Sequence, residues 1–171
     1  MNHSANNCLV FRSTAFNTSE PKEYFINDCC FGDDLARWLM VELRSKGYST
    51  VGEPGQEDFG WYFTFEVEGV KHDAVIGRRP ISDDGEGEWL CWIERTAGLF
   101  GSLAGRRKDI DPKAVQLIQS VLQSSPLISE VQVCFDHELL GRFRTRKNNG
   151  FDDSSFSTAR PRHRRYSSIA V

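Results

Sequence analysis

Trp61-Tyr62-Phe63-Thr64-Phe65-Glu66-Val67-Glu68-Gly69-Val70-Lys71-His72-Asp73-Ala74-Val75-Ile76 decides how this chain folds. Large apolar side chains at Trp61, Phe63, Phe65 and Val67 alternate with Tyr62, Thr64, Glu66 and Glu68. Alternation with a period of two is the mark of a strand buried on one face. After the turn signal Glu68-Gly69 the alternation resumes, with Val70, His72, Ala74 and Ile76 on one side and Lys71, Asp73 and Val75 on the other. The stretch therefore predicts a β-hairpin with one apolar face.

Upstream, Gly32-Asp33-Asp34 places two carboxylates ahead of Leu35, Trp38, Leu39 and Leu43, which recur at helical spacing until Gly47. Acidic residues suit the free amides and dipole of a helix start, and glycine suits its end. Downstream, Asp111-Pro112 supplies an N-cap and a proline in the first turn. Ala114, Val115, Ile118, Val121 and Leu122 then form one apolar face of a helix that must stop before Pro126. Further strands are expected within residues 9–16, at 48–51, at 89–94 and through Val131, Val133 and Phe135. Residues 52–55, with Gly52, Pro54 and Gly55, and residues 77–88 read as loops. The fold class that follows is α+β: an antiparallel sheet of about five or six strands, with two helices packed on one face, in a single domain.

The 171 residues suffice to bury a core without disulfides or metal. Residues 1–140 form the expected globular domain and carry 13 Lys/Arg against 22 Asp/Glu, whereas residues 141–171 carry 8 against 2. An acidic body repels nucleic acid and steers basic proteins toward itself. The basic tail lacks an apolar face to bury, so it is expected to be disordered; nucleic acid is a partner only through it. No apolar run is long enough for a membrane helix, and the first residues lack the pattern of a signal peptide, so a cytoplasmic protein without membrane partners is expected.

Cys8, Cys29, Cys30, Cys91 and Cys134 include no Cys-x-x-Cys spacing, which argues for thiols rather than a disulfide framework or a zinc knuckle. His3, His72, His137 and His163 show no ligand spacing. The glycine-rich stretch 98–105 before Arg106-Arg107-Lys108 lacks the Gly-Lys-Ser/Thr ending of a phosphate loop. No cofactor, metal site or catalytic set is expected.

Glu57-Asp58-Phe59-Gly60-Trp61 is the most distinctive cluster. With the Phe31-Gly32-Asp33-Asp34-Leu35 helix start and the strand carrying Trp89 and Trp92, it resembles a family of small uncharacterised bacterial proteins, over residues 31–135. The resemblance implies a fold rather than an activity. Adjacent carboxylates on a strand point to opposite faces, so Glu57 and Asp58 converge poorly on one substrate; Gly60 is read as permitting a bulge or a close approach. The leading expectation is a non-enzymatic protein-binding module, an inhibitor or immunity-type protein that neutralises a basic partner. Its binding residues would be Tyr62, Glu66, Asp73 and Val75, with Glu57 and Asp58, since aromatic groups set among charges make binding hot spots. The competing readings are a small metal-dependent hydrolase or nuclease, using Glu57, Asp58, Asp83, Asp84 and Glu86, and nucleic-acid binding through the tail.

Overall fold

The computed structural model describes residues 7–57, 60–80, 87–96 and 110–134. Its strands are β1 (Cys8–Arg12), β2 (Thr50–Glu57), β3 (Gly60–Val67), β4 (Val70–Pro80), β5 (Gly87–Arg95) and β6 (Ser129–Cys134). Its helices are α1 (Asp33–Ser45) and α2 (Pro112–Ser124). The strands form one antiparallel sheet in the order β2-β3-β4-β5-β1-β6. Both helices cover the same face, α1 over β2 and β3, α2 over β6. The α+β class and the two-helix layer read from the sequence are thus present.

The hairpin β3–β4 is built as its alternation requires. Trp61, Phe63, Phe65 and Val67 are buried, and across from them lie Ile76, Ala74, His72 and Val70. Each fully buried phenylalanine contributes about 1.5–3 kcal/mol relative to exposure. Glu68 and Gly69 both take positive φ, 51° and 79°, the left-handed pair that a two-residue hairpin turn needs. The same face continues through Trp89, Cys91 and Ile93 of β5 and through Leu9 and Phe11 of β1. Leu35, Leu39 and Leu43 of α1, and Ala114, Ile118 and Leu122 of α2, close over it.

The helix ends differ from each other. In α2 the Asp111 side chain accepts from Lys113 N at 2.9 Å, and Pro112 occupies the first turn, as expected. In α1 no side chain caps the N-terminus. The Asp33 carboxylate, fully buried, instead accepts from Lys22 Nζ at 2.6 Å and Tyr24 Oη at 2.5 Å. It thereby ties the 22–24 segment to the helix start. Burial works against its ionisation, but the Lys22 ammonium and Tyr24 hydroxyl outweigh that and hold the carboxyl below the usual aspartate range.

Three elements depart from the sequence reading. Residues 52–55 belong to β2 rather than to a loop: the strand lies at the sheet edge, where Pro54 needs no ladder partner on its outer side, and its register shifts between Val51 and Gly55. Residues 77–80 and 87–88 extend the β4–β5 ladder, and Arg79 Nε donates to Glu88 at 2.9 Å across it. β1 ends at Arg12, short of Phe16. Phe135, residues 81–86, the glycine-rich stretch 98–105 with its cations, and residues 141–171 lie outside the described residues.

Candidate functional site

Strand alternation that sends Trp61 and Phe65 toward the helices sends Tyr62, Thr64 and Glu66 to the opposite face. On β4 the same rule places Lys71, Asp73 and Val75 there. Register then builds rows across the sheet. Gly55, Tyr62, Val75, Trp92, Cys8 and Cys134 stand opposite one another in turn, one residue from each of the six strands. Val75 and Trp92 are buried at 6% and 7% exposure and Cys8 at 4%, so the face opposite α1 and α2 carries an apolar stripe of its own. It is absent from the cluster beneath the helices.

The next row is polar. Thr64 faces Asp73, and Asp73 faces Glu94. Thr64 Oγ1 donates to Asp73 Oδ1 at 2.6 Å. Two carboxylates directly opposite on neighbouring strands repel, at a cost on the order of 0.2–1 kcal/mol. Among the described residues neither forms an ion pair. Glu66 lies one pair further along, across from Lys71. At the other end of the stripe the charges are matched, by Arg79 with Glu88.

Four of the six residues expected to bind therefore share one face. Tyr62, Glu66 and Asp73 are half-buried, and Val75 is buried. Glu57 closes β2 opposite Gly60 and is exposed. Asp58 lies outside the described residues, as do Asp83, Asp84 and Glu86. Among the described residues, no three His, Cys, Asp or Glu side chains gather as a metal site. No helix of the described residues is long and apolar enough to cross a membrane.

Sequence reasoning missed Glu94, Trp92 and the Cys8–Cys134 pair as members of this face. All three follow from register, which periodicity alone does not supply. Burial, reinforced by the neighbouring Cys134 thiol, pushes the Cys8 thiol up to about 12, with Arg79 acting weakly in the other direction. Cys91, on the helix side, is raised by burial and then by Cys8. Neither is a nucleophile at neutral pH, because the thiolate is the reactive form.

His72 points to the helix side, fully buried, with its ring 5.6 Å from that of Phe65. Its Nδ1 lies 3.0 Å from the Val70 carbonyl, while Nε2 has no hydrogen-bond partner. Burial lowers its pKa against the opposing pull of the Val70 carbonyl and Asp111.

The chain matches no family model, no curated protein and no solved structure. The resemblance noted for residues 31–135 thus rests on its motif residues alone.

Proposed function

We propose that this domain is a non-enzymatic binding module whose sheet face opposite α1 and α2 docks a basic protein, as a cytoplasmic inhibitor or immunity-type protein would. The observation that carries this reading is the Asp73–Glu94 opposition. Two carboxylates held face to face, neither in an ion pair among the described residues, tend to repel and become favourable when a cation enters between them. Beside them the half-buried Tyr62 supplies the kind of aromatic anchor that binding hot spots use. The acidic balance of residues 1–140 adds long-range steering toward such a partner.

The test compares the wild-type chain with the Asp73→Lys/Glu94→Lys double variant as bait for proteins in a native extract at low salt. A stoichiometric basic partner retained by the wild type and lost by the variant is expected. Recovery of no such partner by the wild type, or equal recovery by both, refutes the reading. A stability measurement gives an independent check. Glu94→Gln removes the repulsion and should stabilise the isolated protein by about 0.2–1 kcal/mol while weakening capture.

A further inference from the structure

Adjacent residues in extended chain send their side chains apart, yet Cys29 Sγ and Cys30 Sγ lie 3.9 Å from each other. A β-turn brings this about: Cys30 N donates to the Asn27 carbonyl at 3.1 Å, closing residues 27–30. The Asn27 side chain reinforces the turn, its Oδ1 accepting from Cys29 N at 3.3 Å and from Cys29 Sγ at 2.9 Å.

The turn is in turn anchored to the sheet. Gln56 of β2 accepts at Oε1 from Ile26 N (2.5 Å) and Asn27 N (3.2 Å). Its Nε2 donates to the Asn27 carbonyl (2.9 Å) and the Cys30 carbonyl (3.2 Å). Trp61 Nε1 donates to the same Cys30 carbonyl at 2.7 Å. The backbone beneath both sulfurs is therefore fixed, while Cys29 is exposed and Cys30 half-buried.

We propose that Cys29 and Cys30 form a preorganised two-sulfur site for soft Lewis acids of the class of monosubstituted trivalent arsenicals. Sulfur ligands select soft acceptors over the hard cations that take oxygen. A structural zinc site needs four ligands, and among the described residues no group of three His, Cys, Asp or Glu side chains forms around this pair. A monosubstituted arsenical requires two sulfurs. Its oxide condenses with both thiols: two As–S bonds form, the As–O bonds break, and the oxygen leaves as water with the two thiol protons. No electrons are transferred.

A disulfide within the pair is the competing product, and geometry disfavours it. The Cys29–Cys30 peptide is trans, so its Cα atoms are about 3.8 Å apart. Relaxed disulfides span roughly 4.4–6.8 Å between Cα atoms, so this one would be strained and easily reduced. Holding the turn in place before the ligand arrives cuts the ordering cost of chelation.

The probe is phenylarsine oxide added to the full-length chain, read by intact mass and by peptide mapping of the adduct. A single adduct bridging Cys29 and Cys30 is expected, stable to excess glutathione and released by a dithiol competitor. Cys29→Ser and Cys30→Ser should each lose this stability, whereas Cys134→Ser should keep it. Gln56→Ala, which frees the turn while leaving both thiols, should lower the resistance to dithiol competition by roughly tenfold. Mapping of the adduct to Cys8 and Cys134, or full retention by Cys29→Ser, overturns the proposal. An unchanged Gln56→Ala overturns the part assigned to preorganisation.

Discussion

Replacing Gly60 by alanine tests whether the hairpin is threaded as tightly as it looks. A Cβ built on Gly60 would stand 1.9 Å from the Ile76 carbonyl oxygen, with the Ile76 carbonyl carbon at 3.0 Å and Gly77 Cα at 3.3 Å. These obstacles are all backbone, so no side chain can rotate away. Even to reach 3.0 Å from that oxygen, the two strands must move apart by more than 1 Å. That movement acts where Trp61 pairs with Ile76, and Trp61 is buried against Phe25 with 5.1 Å between ring centroids. The substitution should therefore open the ladder end and unseat the indole, at about 3–5 kcal/mol. For a domain of this size that is a fall in Tm of roughly 10–20 °C. Gly69→Ala is the control. Gly69 has a φ of +79° but nothing within 4 Å of its Cβ position, so only backbone strain of about 1–2 kcal/mol applies. Urea titrations followed by tryptophan fluorescence would rank the two. If Gly60→Ala lost no more stability than Gly69→Ala, the close approach of β3 to β4 would be wrong.

Three further outcomes follow from buried ionisable groups. Asp33 has a folded-state pKa below its unfolded value, so its contribution is complete above about pH 4 and is lost as pH falls through the folded pKa. Asp33→Asn should accordingly lower stability at pH 7 and flatten the acid limb of a stability–pH curve; an unchanged limb would show that Lys22 and Tyr24 do not hold the carboxylate. His72 also has its pKa lowered, chiefly by burial, so the native state loses stability as pH drops below about 6.5 toward the folded value. His72→Leu should remove that loss, as seen in denaturation midpoints between neutral and mildly acidic pH, and a slope identical to wild type would contradict it. In timed alkylation of the native protein at pH 8, Cys29 should label first, whereas Cys8, its thiol pushed up to about 12, and the buried Cys91 should label only on unfolding. Early labelling of Cys91 would sink that ordering.

What the sequence disclosed depended on how local the determining interactions were. The β3–β4 hairpin and both helices are specified within a few residues, by alternation, by Glu68-Gly69 and by Asp111-Pro112, and these were legible. β2 was not, because Gly52, Pro54 and Gly55 disfavour strand locally and only the edge position accommodates them. The insertion of β1 between β5 and β6 joins residues more than 80 positions apart, as in Cys8 with Trp92 and Cys134. No period encodes such a pairing. The candidate site divides the same way. Alternation sufficed to group Tyr62, Glu66, Asp73 and Val75 on one face, but the opposition of Asp73 to Glu94 required the β4–β5 register. The vicinal thiols were visible as a sequence pair, yet their convergence depends on Gln56, which reaches them from a strand nearly thirty residues away.

One sheet thus presents two unlike surfaces, and the difference lies in how each is satisfied. On the helix side, apart from His72 Nε2 and Asp33 Oδ1, apolar groups meet apolar groups, and the Trp61 indole N–H finds the Cys30 carbonyl. On the other side, Arg79 and Glu88 are paired, whereas Asp73 and Glu94 stand opposite each other with no ion pair among the described residues. The strands cannot slide to part these two carboxylates, because the buried face fixes their register. The carboxylates of Asp73 and Glu94 therefore stay opposite each other. The packing that stabilises one face is what keeps the charges poised on the other.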